Sequence, residues 1–301
     1  MYINKTRKSI YERDDDAVNF IKIKDFLRNI HKAIHYAKTK LKTNSLHEPD
    51  YTAALAIEFP RLMNASGKYQ NIKFGGCFIH QSPIARFMIQ QKQESCELGD
   101  LLVLVRKQTI DGERFNAALL QFKKSDKNPE KLTSYGDKRQ LFLYENWPEF
   151  VIGKLKSKYD IQPKVVNQGA LYCIIQEAIP QFYMAEPMST MSYYKNNTFG
   201  RFLVNMINWQ AGRAISDEPA RKDDEWSKLI WDLIENSLNT KFNRKNIDYK
   251  NVTRLSDGFL MLIDELPDID SIINGNDYSN VYDDENPGIS ILFIDIDDRE
   301  K

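Results

Sequence analysis

The sequence predicts an α/β fold in which a mixed β-sheet is flanked by helices, with an N-terminal helix and a helical C-terminal extension added to it. Three observations carry this prediction. Residues 17–42 repeat apolar side chains at helical period; Leu101–Val105 is an apolar run that leads to the turn pair Asp111-Gly112; a second apolar run, Ala170–Ile175, follows an intervening helical stretch. A chain of 301 residues with 42% hydrophobic residues can bury one large core, alone or with an extension.

In the first helix Val18, Ile21, Phe26, Ile30, Ala33 and Ile34 form the apolar face, and Lys and Arg occupy the others. A second helix covers roughly 51–65, where Tyr51, Leu55, Glu58 and Leu62 share a face. Pro60 kinks it or starts it afresh, because proline has no N–H to donate and restricts Phe59 before it. Ile72–Ile79 reads as a strand interrupted by Gly75-Gly76. Asp100–Lys107 suits a strand buried on both faces, Asp111-Gly112 a two-residue hairpin turn, and Phe115–Lys124 the returning strand. Helical sequence around Gln140–Tyr144 then precedes a buried strand at Gly169–Gln176. Helices follow at Phe199–Ala214 and Asp224–Leu238, a strand-like run at Ile289–Ile296, and an Asp/Asn-rich loop near 264–286.

Composition excludes several classes. With 28% charged residues and no apolar run of about 18–20, no segment is expected to span a membrane. Met1–Lys5 lacks the apolar core of a secretion signal, and Cys77, Cys96 and Cys173 are odd in number and scattered. A cytoplasmic protein with packed thiols is the expectation. His31 and His35 stand at a metal-binding spacing but have no third ligand nearby, so solvated or packed histidines are expected. No GxSxG, P-loop or HExxH pattern occurs. The net charge of zero divides unevenly: residues 1–45 hold 11 Lys/Arg against 5 Asp/Glu, and residues 255–301 hold 13 Asp/Glu against 2 Lys/Arg. Such polarity suits polyanion contact or self-masking, and equally two solvated faces.

The hairpin brings chemistry together. With Asp111-Gly112 as the turn, Ile110 faces Glu113, Asp100 faces Lys123 and Leu102 faces Gln121. Alternation then projects Asp100, Gln121 and Lys123 from one face. A buried carboxylate and ammonium need each other or a ligand, so the juxtaposition reads as a cross-strand ion pair or as a site.

The element order, a helix with Glu58, a strand, a strand beginning at Asp100, a strand holding Gln121-Phe122-Lys123, a helix and a strand, resembles the PD-(D/E)xK, or restriction-endonuclease-like, nuclease superfamily with its αβββαβ core. The resemblance covers residues 50–178. Gly99 stands where the family usually has proline, and Gln121 replaces the second acid, as in the Mrr-like branch. The resemblance implies Mg²⁺ or Mn²⁺ held by Asp100, the Gln121 amide oxygen, the Phe122 carbonyl and Glu58. It implies Lys123 as the residue that positions or deprotonates the attacking water, and Gln140 as a polar residue facing the phosphate. Glu97 is a further candidate acid, and Lys124 is expected to be solvated or structural. The implied organisation is a basic helical segment (1–45), a nuclease core (46–178), a helical extension (179–250) and an acidic tail (251–301).

A metal-dependent endonuclease with DNA favoured, in a bacterial restriction or anti-phage defence setting, is therefore expected; the alternative is a catalytically silent nuclease-fold binding or assembly subunit. Phosphate contacts are expected from Lys22, Lys24, Arg28, Lys32, Lys38, Lys40 and Lys42, with Lys127 and Lys131 beyond the motif. An activating or inhibiting protein partner or a homo-oligomer fits such an effector. The acidic tail is expected to compete with nucleic acid or to dock a partner, so that deleting residues 264–301 raises DNA binding.

Overall fold

The computed structural model describes residues 22–79, 83–153, 155–164, 169–177, 181–217, 220, 224–243, 262–264 and 288–299. In chain order its elements are α1 (Ile23–Leu41), α2 (Glu48–Ala53), a π-helical turn (Ala54–Glu58), α3 (Phe59–Ala65), β1 (Ile72–Cys77), β2 (Ile84–Ile89), β3 (Lys92–Glu97), β4 (Leu101–Thr109), β5 (Gly112–Lys124) and β6 (Glu130–Lys131). They continue as α4 (Tyr135–Asn146), β7 (Phe150–Ile152), β8 (Leu155–Tyr159), β9 (Ala170–Gln176), β10 (Gln181–Ala185), β11 (Thr190–Met191), α5 (Phe199–Ile207), β12 (Arg213–Ile215), α6 (Glu225–Asn243) and β13 (Ser290–Asp297).

The main sheet runs β1-β13-β4-β5-β9-β10, with β12 on the lower edge of β5. It is mixed: β13 is parallel to β4 and β9 to β5, while the other pairs are antiparallel. Alternation sends Leu101, Val103, Leu120 and Phe122 to one face, under α1, the α2–α3 segment and α5. Leu102, Leu104, Ala117 and Leu119 go to the other face, under α4, α6 and a smaller sheet ordered β3-β2-β7-β8. Helices thus cover both faces, which is why Leu101–Val105 of β4 and Ala117–Leu120 of β5 are apolar without a break.

Proline explains the break in the second helix. Pro60 cannot bond the Ala56 carbonyl four residues back, and the N–H of Phe59 reaches Ala54, one residue further than in an α-helix. The released Ala56 carbonyl lies 2.1 Å from where a Cβ on Gly76 would stand. Gly75-Gly76 therefore does not interrupt β1, as the sequence suggested. The glycines let β1 run through beneath the π-turn, paired to Phe293 and Leu292.

Four further expectations are corrected. The hairpin turn is Ile110-Asp111, with Thr109 paired to Gly112, so Leu101 faces Leu120 and the register differs from the expected one by two residues. Neither turn residue has a positive φ, whereas Gly112 has φ +129°, so Gly112 opens the strand instead of closing the turn. The extension at 179–250 is not purely helical: β10 joins the main sheet, β12 pairs with β5, and the helix expected over Phe199–Ala214 ends at Ile207, before Trp209 with its φ of +59°. Residues 290–297 are not an appended tail, because β13 lies between β1 and β4, tied by an Arg106–Asp295 pair with both contacts at 2.8 Å. Two hairpins, β2–β3 and β7–β8, had no counterpart in the sequence reading. Residues 17–21 of the first expected helix and 265–286 of the expected loop lie outside the described residues. Among the described residues no helix is long and apolar enough to cross a membrane.

Candidate active site

At the open end of the β4–β5 hairpin the backbone places Asp100. Its N–H donates to the Leu120 carbonyl (2.8 Å), and its Oδ2 accepts the Phe122 N–H (2.6 Å). Glycine at 99 has a steric reason: a Cβ there would stand 3.2 Å from Tyr144 Oη and 3.3 Å from the Leu120 carbonyl. Tyr144, from α4, is fixed by donating to the Leu98 carbonyl at 2.6 Å. Proline or any larger residue would crowd this corner.

The corrected register continues past Leu101–Leu120 to set Asp100 across from Gln121, with Lys123 one pleat further along the same face. The two-residue shift leaves the face unchanged, because side chains repeat every two residues. Gln121 is buried and accepts a hydrogen bond from Gln140 Nε2, which also donates to the Glu97 carbonyl (3.1 Å). Gln140 is thus buried and orients Gln121, whereas the sequence placed it facing a phosphate. Lys123 Nζ lies 2.8 Å from Asp137 Oδ1, in the first turn of α4. Asp100 acts on Lys123 through its charge. The close acid of the lysine is therefore not the cross-strand partner that the ion-pair alternative required.

The acid contributed by the second helix is Glu48, not Glu58. Glu58 lies ten residues on, about 15 Å along the axis, in the π-turn over β1 and β13, and pairs with Arg61 (3.2 Å). Glu48 opens α2 beside the end of β5, accepts the Lys124 backbone N–H, and feels the charges of Lys123 and Glu97. Pro49 in the first turn and the reciprocal His47–Asp50 cap start the helix at that point. This was the signal available in the sequence. Glu97, at the end of β3, completes the group of acids: its charge acts on both Asp100 and Glu48.

Electrostatics follow from this packing. Burial pushes the half-buried Asp100 carboxyl up to about 8, Glu97 and Glu48 push it further, and the Phe122 N–H and Lys123 act against them. Burial also raises Glu48. For Lys123, burial opposes the charge, but the hydrogen bond and charge of Asp137, with Glu48 and Asp100, outweigh it and hold the ammonium above its ordinary value.

The other expected residues stay apart from this cluster. Lys124 clamps the Leu46 carbonyl (2.8 Å) and Glu177 (2.9 Å). Lys22 caps α1, and Lys38, Lys40 and Lys42 occupy its last turn and C-cap. Lys24, Arg28 and Lys32 are exposed and line an open groove of about 550 Å³ with Leu27, His31 and His35. α1 packs through Phe26 and Ile30 on the face opposite Gln121 and Lys123, so Lys24, Arg28 and Lys32 lie on the other side of the sheet from those two residues. Lys127 and Lys131 are exposed beyond β5.

Among the described residues no three His, Cys, Asp or Glu side chains form a metal cluster by themselves. The oxygen donors that share this corner are the Asp100 and Glu48 carboxylates, the Gln121 amide and the Phe122 carbonyl. In an antiparallel strand the N–H and C=O of one residue face the same neighbour, so that carbonyl faces the Asp100 side. An all-oxygen set with surplus negative charge suits a hard divalent cation. No family model, curated protein or solved structure matches the chain.

Proposed function

We propose that the chain is a metal-dependent phosphodiesterase acting on nucleic acid, with DNA favoured, and that α2, β1, β4, β5, α4 and β9 form a restriction-endonuclease-like core. The observation that carries this reading is the gathering of Asp100, Gln121, Lys123 and Glu48 at one end of a single hairpin. The helix, three strands, helix and strand occur in the order that the superfamily uses, with β4 antiparallel to β5 and β9 parallel to β5. The insertion of β13 between β1 and β4 departs from the plain core.

Asp100 and Glu48 would hold Mg²⁺ or Mn²⁺, with the Phe122 carbonyl and the Gln121 amide oxygen, and water in the remaining positions. Bound there, the cation supplies charge stabilisation at the phosphoryl oxygens and an acidified water. The chain's own contribution is positional. Gln140 fixes Gln121, the Phe122 N–H fixes Asp100, and Lys123 offers a positive charge to the phosphate as the water oxygen bonds to phosphorus and the ester P–O bond breaks. The exposed cations of α1 would track phosphates outside the site. A restriction or anti-phage defence setting follows from the resemblance alone.

Plasmid DNA incubated with the purified full chain and Mg²⁺ or Mn²⁺ tests this. Nicking that EDTA, Asp100→Ala and Lys123→Ala each abolish is the expected result, and nicking retained by Asp100→Ala overturns it.

A further inference from the structure

Lys123 lies within range of two acids on different elements. Asp100 is its diagonal neighbour across the hairpin, a separation that a lysine side chain spans. Asp137 approaches from α4, and the ammonium sits there, 2.8 Å from Oδ1, with the two side chains only 24% and 19% exposed. Asp137 is itself held: its N–H donates to the N-capping Ser134 Oγ (3.0 Å), and it stands in the first turn of α4, where the helix dipole favours negative charge. Glu48 from α2 also acts on the ammonium through its charge. A lysine on Asp100 would occupy the ground that a divalent cation requires, and it is the arrangement from which a silent site would be built.

We propose that Asp137 is a positioning residue that anchors the Lys123 ammonium on the α4 side of the site and so leaves Asp100 and Glu48 to a divalent cation. The role rests on the metal-dependent reading above, and it assigns a task to an acid outside the PD-(D/E)xK pattern. The Asp137 carboxylate also accepts hydrogen bonds from the Ser134 hydroxyl and backbone N–H, so Asp137→Asn, which keeps an acceptor for that cap, separates loss of the charge from loss of the helix start.

Calorimetric titration of the full chain with Mg²⁺ and with Mn²⁺, counting only the binding that Asp100→Asn removes, reads this directly. Asp137→Ala is expected to weaken that binding by about fivefold or more, because the released ammonium competes for Asp100. Adding Lys123→Met is expected to bring the affinity back to that of Lys123→Met alone, with melting curves confirming the fold; Asp137→Asn replaces Asp137→Ala where the latter does not fold. Unchanged affinity in the Asp137 variant, or a double variant as weak as the single one, overturns the role of Asp137 while leaving the metal site standing. Wild-type protein without Asp100-dependent binding of either ion overturns the metal site itself, and this role with it.

Discussion

Replacing Asp100 by asparagine removes a charge that the folded environment opposes. Burial, with Glu97 and Glu48 nearby, lifts the carboxyl from 3.8 to about 8. The folded chain therefore binds this proton more tightly than the unfolded chain does. The resulting stability is fully present below about pH 4, is lost progressively as pH rises, and is gone above about pH 8. Each tenfold displacement of a proton equilibrium is worth about 1.4 kcal/mol, which sets an upper limit near 5–6 kcal/mol for a site wholly shut off from water. Asp100 keeps a solvent-facing edge, and discounting for it leaves an effect on the order of 2–3 kcal/mol. Asparagine retains an oxygen for the Phe122 N–H, so the variant loses the charge and keeps the hydrogen bond. At roughly 2 °C per kcal/mol for a chain of this size, Asp100→Asn is expected to melt about 4–6 °C above wild type at pH 9 in EDTA, and to come level with it only at about pH 4 and below. Mg²⁺ at pH 9 should narrow the gap by raising wild type alone. Melting curves for the two proteins that stay parallel from pH 5 to pH 9 would refute the electrostatic account.

Two further predictions separate Glu58, which the sequence singled out, from Glu48, which it did not. Glu48→Gln should reduce plasmid nicking by about a hundredfold, as expected for loss of a group acting at the reacting centre. Glu58→Gln should leave nicking within about threefold, since Glu58 serves an Arg61 pair over β1 and β13; the opposite ranking would restore Glu58 to the site. Asp295→Ala should destabilise the chain by about 3 kcal/mol in urea titrations, because it leaves the buried Arg106 guanidinium without its two-point partner, and a loss below about 1 kcal/mol would show that the pair does not hold β13.

The sequence revealed which side chains share a face better than it revealed where they stand along it. Asp100, Gln121 and Lys123 could be assigned together because alternation survives a two-residue register error; the pairing partner could not, because it depended on reading Asp111-Gly112 as the turn when Ile110-Asp111 makes it. Glu48 escaped for a related reason. The apolar repeat of the second helix begins at Tyr51, and the acid lies in the polar first turn, announced only by Pro49 and the His47–Asp50 cap. The strand Lys92–Glu97 has mostly polar residues and half-exposed positions, so it carried no period that could distinguish it from a loop. Asp137 gave no sign at all. Its contact with Lys123 comes from a helix that folds back over β5, a relation between elements that local patterning does not encode.

The same limit explains the reversal in the reading of residues 290–297. In sequence they are an apolar run among acids; in the fold they form a central strand whose first residue, Ser290, pairs with Leu101, the residue after Asp100. Ser290 Oγ also binds both the N–H (3.0 Å) and the carbonyl (3.1 Å) of Ile79, and Arg106–Asp295 locks the far end of the strand. Asp100 is thus held from β5 through the Leu120 carbonyl, and the strand it opens is held from β13 on the other side. Ile291, Leu292, Phe293, Ile294 and Ile296 are buried; at about 1.5–3 kcal/mol each they contribute about as much as the whole stability of an ordinary domain. Removing residues 264–301 therefore dismantles the sheet that positions Asp100, and a change in DNA binding on that deletion would report folding, not an unmasked basic surface. Any masking by acids has to be tested by substitutions that leave β13 in place.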